Sequence, residues 1–328
     1  MPADMTTLAI ERYDRYFPFF DGTVSLPPGL KDLKVLQLGQ ETMLRDGGHR
    51  HSRMLKDGEF DAAETSLSSY VAAKAKGLPF TAIPVFPRRL FSQGQMFVNV
   101  DSGIETPADL EGKTVGLQSF QTTLAVLAKG DVALDHGVDL RAVKWRLRNA
   151  DTVKVEYDPA FDIEKLPDGA DLGTLLAEGG IDALFYSRTP VPKKPGLEGR
   201  IRRLHADPRA EEKKYVARHG YWPIMHIVAL NDRSVEKNPE LPMQLMAAFD
   251  DAMKVAHTYL NDPNWSRLAW TKYIKEEEDA AFPQSLWTSG VAANRANLDC
   301  FIGYALDQGS IDHRLAVEDL FHPSVHNT

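Results

Sequence analysis

One arrangement recurs along this 328-residue chain: a short apolar strand, a polar turn rich in hydroxyls, and a helix that begins at once. The first copy runs from Glu59 to Gly77, where Glu64-Thr65-Ser66-Leu67-Ser68-Ser69 joins strand to helix. The first backbone N–H groups of a helix have no partner inside it, so Ser or Thr there serves as a cap. When such a turn faces a cleft, the same N–H groups and the helix dipole hold an anion. A second copy starts with the helix signal Thr106-Pro107 and the stop at Gly112. Its strand, Lys113 to Leu117, opens through residues 118–123 into the helix LAVLAKG. A third, residues 171–190, ends a helix at Gly179-Gly180 and a strand at Phe185, and empties into Tyr186-Ser187-Arg188. Strands alternating with helices predict parallel α/β sheets, whose ligands gather beyond the carboxyl ends of the strands.

A chain of this length exceeds the usual single core, which predicts two domains. Trp222 to Leu230 has the pattern of a buried strand, and a long amphipathic helix follows from Pro239 to about Asn261. A further helix from about Asn294 to Gln308 is closed by Gly309. Residues 151–171, rich in proline and carboxylates, are expected to be an irregular surface excursion.

Composition excludes several classes. The net charge of −8, from 38 basic and 46 acidic residues, argues against nucleic acid or an anionic membrane as partner. No apolar run approaches the roughly 20 residues that span a bilayer. The N-terminal residues do not resemble a secretory signal and Cys300 is the single cysteine, so a cytoplasmic location is expected. Homo-oligomerisation is left open.

Several blocks, in order and in register, resemble the 4,5-dihydroxyphthalate decarboxylases. They are YDRYFPFFDGTV near the N-terminus, ETSLSSY (64–70), PVFPRRLF (84–91), DLEGKTVGLQSFQTT (109–123), GYWPIMHIV (220–228) and GVAANRANLDCF (290–301). The resemblance covers about Ile10 to Phe321. It implies a type II periplasmic-binding-protein fold: two α/β lobes, each a mostly parallel sheet flanked by helices, with the site in the cleft between them. Mapped here, lobe 1 holds residues 1–97 and 225–328 and lobe 2 holds 98–224, with crossings near Val98-Asn99-Val100 and Ile224-Met225. It also implies a small aromatic carboxylate as substrate and neither a metal nor an organic cofactor.

Decarboxylating a hydroxylated benzene dicarboxylate without a cofactor requires cations or N–H donors for the carboxylates, an acid near one ring carbon, and acceptors for the phenols. Arginine's planar fork suits carboxylates. Arg89 and Arg188 are the expected substrate anchors and Arg295 the next, while Arg88 is expected to point away from its neighbour. Ser66, Ser68, Ser69, Gln121, Thr122 and Thr123 supply uncharged donors, with Asn294 beside Arg295. His226, inside the apolar strand PIMHIVAL, is the candidate proton donor. Glu64 is its rival if burial keeps it protonated; otherwise it accepts from the catechol hydroxyls. Tyr186 and Tyr221 are weaker alternatives. His49 and His51 lack a ligand partner at metal-binding spacing and read as a solvated turn before the helix SRMLKDG.

The match weakens at Ser92-Gln93-Gly94, at Leu127 and Lys129, and at Phe185-Tyr186, so the reaction class is safer than the named substrate. Two other classes stay open: a solute-binding protein for a small carboxylate, and a sensor or another enzyme on the same scaffold, such as one making a pyrimidine precursor.

Overall fold

In the computed structural model, which describes residues 5–282 and 285–328, eleven strands divide between two sheets. The strands are β1 (Thr7–Ile10), β2 (Lys34–Gln37), β3 (Ala62–Ser66), β4 (Phe80–Ile83), β5 (Met96–Asn99) and β6 (Thr114–Leu117). They continue with β7 (Lys144–Leu147), β8 (Asp162–Lys165), β9 (Ala183–Phe185), β10 (Ile201–Arg203) and β11 (His226–Asn231). The helices are α1 (Pro18–Asp21), α2 (Arg50–Leu55), α3 (Leu67–Ala75), α4 (Thr123–His136) and α5 (Leu172–Glu178). After them come α6 (Pro208–His219), α7 (Asp232–Lys237), α8 (Leu241–Tyr259), α9 (Thr271–Ala281) and α10 (Val291–Asp307).

One sheet has the order β2-β1-β3-β11-β4 and the other β10-β5-β9-β6-β7-β8. Each is mostly parallel, with one strand reversed. The β2-β1-β3 and β9-β6-β7-β8 runs are parallel, whereas β11 lies antiparallel to β3 and β4, and β5 antiparallel to β9 and β10. In each sheet the reversed strand is the one that the chain enters straight from the other lobe. It arrives from the cleft side and so runs against its neighbours.

The first crossing lies earlier than expected. Met96 and Phe97 already pair with Phe185 and Leu184 in the second sheet, so the chain changes lobe within residues 84–95. The return crossing immediately precedes His226. The two crossings bind one another through an antiparallel bridge between Arg89 and Ile224. Leu90 N donates to Pro223 O at 3.1 Å, and Met225 N donates to Arg88 O at 2.8 Å. The hinge is therefore a short hydrogen-bonded ribbon, and alternate residues on it face opposite sides.

The lobes also share core. Leu124, Val126 and Leu127 of α4 pack into the apolar cluster of the first lobe. Gly130 lets α4 approach α10 so closely that a Cβ there would lie 2.2 Å from the Tyr304 ring. The apolar face of α8 buries Leu241, Leu245, Met246 and Phe249, each contributing roughly 1.5–3 kcal/mol. Residues 151–171 are only partly the expected surface excursion, because Val153 and Phe161 are buried and β8 forms the sheet edge. Among the described residues no helix is long and apolar enough to cross a membrane.

Candidate active site

Beneath the cleft lies a carboxylate–imidazole pair that is almost wholly sheltered from water. Glu64, on the fully buried strand β3, has no exposed side-chain surface, and its carboxylate receives His226 Nδ1 from β11. Its other partners are Arg50 Nη2 at 3.0 Å, the Tyr13 hydroxyl at 2.8 Å and Glu11 N at 3.1 Å. Burial alone would push the Glu64 carboxyl up, but Arg50, the His226 contact and the Glu11 N–H outweigh it and hold it below the ordinary carboxylate range. An anionic Glu64 has no proton to give. With both oxygens engaged inside the protein, it is also not placed to receive catechol hydroxyls. Its role is to hold the imidazole, which corrects both expectations made for it.

His226 sits in the cleft wall with Nδ1 fixed on Glu64, leaving Nε2 as the ring nitrogen available to a ligand. Burial, offset only partly by Glu64, lowers its pKa to about 4. Arg88 and Arg50 add to the lowering. The lowering favours the neutral ring, and the contact with the Glu64 carboxylate favours its proton on Nδ1.

The His49-Arg50-His51 segment is not a solvated turn. His49 adopts the left-handed conformation (φ 57°) as the N-cap of α2, and Arg50 and His51 are buried. Arg50 donates from Nε to Glu64 O at 2.9 Å and from Nη1 to Leu38 O. The His51 ring stands edge-on to His226, with centroids 4.9 Å apart and planes at 89°. Sequence periodicity carried no signal for this, because two histidines around an arginine look polar whichever way the chain turns. A positive φ at a non-glycine residue is the feature that would have drawn attention to it.

Around this pair the cleft is lined from both lobes. Ser66, Arg88, Met225 and His226 come from the first lobe and its hinge, and Thr122, Thr123, Tyr186, Ser187 and Arg188 from the second. Helices α3 and α4 both begin here. Their N-caps, Ser66 and Thr122, make no side-chain capping bond, and Ser66 Oγ lies 2.8 Å from Thr123 Oγ1. Two positive helix ends thus converge beside two arginines, an environment suited to carboxylates. Gln118 Nε2 closes the rim by donating to Glu41 Oε1 across the lobes at 2.7 Å.

Other expected residues stand elsewhere. Arg89 faces behind the hinge, where it donates to Trp222 O at 2.8 Å and to Asn294 Oδ1 at 2.6 Å. The ribbon geometry explains the exchange: Arg88 takes the cleft side, so its neighbour cannot. Arg295 is outside the cleft because it follows the inward-facing Asn294 on α10, and it pairs at the surface with Glu318. Ser68 donates to Gln121 O, and Gln121 spends its amide on Val153, donating to its carbonyl at 3.0 Å and accepting from its N–H at 3.1 Å. These two fasten the lobes together instead of meeting a ligand. Ser69 and His51 line a pouch continuous with the cleft through Ser66, Gln118 and Thr122. Tyr221 packs edge-on to Tyr215, behind the hinge. Among the described residues no group of three or more His, Cys, Asp or Glu is arranged to hold a metal ion.

Comparison with known proteins places this geometry. Residues 43–157 match the family described as NMT1/THI5 like. The fold is shared with the periplasmic aliphatic sulphonate binding protein SsuA from Escherichia coli, at TM-score 0.54, 12% identity and 99% coverage of both chains. The alkanesulfonate-binding protein SsuA from Xanthomonas axonopodis pv. citri gives TM-score 0.55 at 14% identity, with 98% of both chains covered. At such identity the likeness is one of fold alone. A 4,5-dihydroxyphthalate decarboxylase from Pseudomonas putida is 30% identical over 210 residues, covering 62% of this chain and 78% of that protein. The Comamonas testosteroni enzyme of the same name is 30% identical over 335 residues, covering 97% of this chain and 96% of that protein. Identity sustained over nearly the whole of both chains shows that this chain belongs to the 4,5-dihydroxyphthalate decarboxylase family.

Proposed function

We propose that the protein is a decarboxylase of a hydroxylated aromatic dicarboxylate, converting 4,5-dihydroxyphthalate to protocatechuate and CO2 by proton delivery to the ring carbon that bears the leaving group. The observation that carries this reading is the buried Glu64–His226 pair, whose free Nε2 belongs to a cleft containing Arg88 and Arg188. The arginines and the ends of α3 and α4 would hold the two carboxylates. A bound dianion would offset the field of Arg88 and Arg50, raising the proton affinity of His226 at the moment an acid is needed. Glu64 stabilises the imidazolium so formed. Once the ring carbon takes the proton from Nε2, the C–C bond breaks, its electron pair restores the aromatic ring and CO2 departs. The residues invoked need no cofactor for these steps.

The fold shared with SsuA supports a second reading, a receptor for a small carboxylate without catalysis. Arginines and helix ends suffice for a receptor. A carboxylate-oriented imidazole at the cleft floor is what a proton-transfer enzyme adds. Incubation of the purified protein with 4,5-dihydroxyphthalate distinguishes the two: release of protocatechuate with stoichiometric CO2 supports the decarboxylase, and tight binding without product supports the receptor.

A further inference from the structure

His51 has no role in the steps above, yet it is built into the same wall. Its side chain is buried, 6% exposed, and Nε2 has no hydrogen-bond partner among the described residues. Leaving a buried ring nitrogen unpaired costs free energy unless a ligand completes it. The ring lines the pouch that continues the cleft, among Gln40, Ser66, Ser69, Gln118 and Thr122. Glu41 also lines this pouch, with its carboxylate engaged by Gln118 Nε2 at 2.7 Å. Burial first, then His226 and Arg50, hold it well below the ordinary imidazole pKa, while Glu64 opposes them and Arg88 adds to them. That lowering favours the neutral imidazole, which has a lone pair to offer.

We propose that His51 binds a phenolic hydroxyl of the substrate and accepts its proton, so that two neighbouring imidazoles share the acid and base work of one reaction. This rests on the decarboxylase reading of the cleft. The chemistry requires such a group. Moving charge from a para hydroxyl into the ring eases protonation of the carbon that carries the leaving carboxylate, and the hydroxyl proton needs an acceptor. The steps balance. The O–H bond breaks toward His51 as the ring carbon takes the proton from the protonated His226, and the C–C bond then breaks with its pair returning to the ring as CO2 leaves. The phenolate product then recovers its proton from His51, and His226 is recharged from solvent, so one proton is consumed per CO2 released. At a ring separation of 4.9 Å two imidazolium ions repel, and the sequence of steps never requires both at once.

Binding in the His226→Asn background, which lacks the proton donor, tests the assignment apart from turnover. Phthalate, with no hydroxyl, and 4-hydroxyphthalate, with one, are titrated against His226→Asn and against the same variant carrying His51→Phe, which keeps the edge-on ring and removes both nitrogens. The expected result is about a tenfold loss of affinity for 4-hydroxyphthalate and less than about a twofold change for phthalate. His51→Gln, which retains a hydrogen-bonding group, should recover part of the affinity for 4-hydroxyphthalate, and it carries the test if the Phe variant does not fold. Equal losses for both ligands, or no loss for 4-hydroxyphthalate, would overturn the proposal. Failure of the decarboxylase reading would show instead as binding of both ligands with no CO2 released from 4,5-dihydroxyphthalate by the wild type.

Discussion

The Glu64 carboxylate holds His226 by Nδ1 at a place where neither side chain has more than 3% of its surface exposed. That single contact fixes the imidazole tautomer, its orientation and the charge that would stabilise its protonated form. Glu64→Gln keeps the shape and removes the charge. Turnover is expected to fall by about 10- to 100-fold. Arg50, which has no exposed side-chain surface and pairs with Glu64 at 3.0 Å, would be left without its buried partner, at a cost of about 3–5 kcal/mol. Chemical denaturation and steady-state kinetics on the same variant check both effects.

The arginines separate by position. Arg88→Met and Arg188→Met should each raise KM by at least about tenfold, because each removes a cation from the cleft wall. Arg295→Met should leave KM and kcat unchanged, since its partner is Glu318 at the surface. Arg89→Met should act on stability, because it removes the bonds to Trp222 and Asn294 that brace the back of the hinge. A KM rise in the Arg295 variant would mean that the cleft has been drawn in the wrong place.

Much of this was legible in the chain. The strand–turn–helix repeats placed β3–α3 and β6–α4, because capping hydroxyls and period-2 runs are local signals. His226 was visible as a polar residue inside an apolar strand. What local signals do not carry is facing. Arg88 and Arg89 are chemically identical neighbours, and only the ribbon between the two crossings decides which one meets the cleft. The segment 49–51 likewise read as solvent-facing, because its burial depends on Glu64, which is distant from it in helix and strand periodicity.

A buried carboxyl ties the lobes together and gives the stability a pH dependence. Asp131 on α4 accepts from Ser92 at 2.5 Å and from Tyr304 at 3.1 Å, joining the second lobe to the first crossing and to α10. Burial raises its pKa to about 7, with the charge of Asp135 adding to the effect and the hydrogen bonds opposing it. Because the folded value lies above the unfolded one, the favourable contribution is complete below about pH 4 and is lost as the pH rises through about 7. Asp131→Asn removes this titration. It should stabilise the protein by on the order of 2–4 kcal/mol at pH 8 and change little at pH 4, as read from urea midpoints across that range.

The most direct measurement compares wild type with His226→Asn for both binding and turnover of 4,5-dihydroxyphthalate. If Nε2 supplies the proton to the ring carbon, Kd should stay within about threefold while kcat falls by at least about 100-fold. A variant that binds and still releases CO2 at close to the wild-type rate would contradict the account.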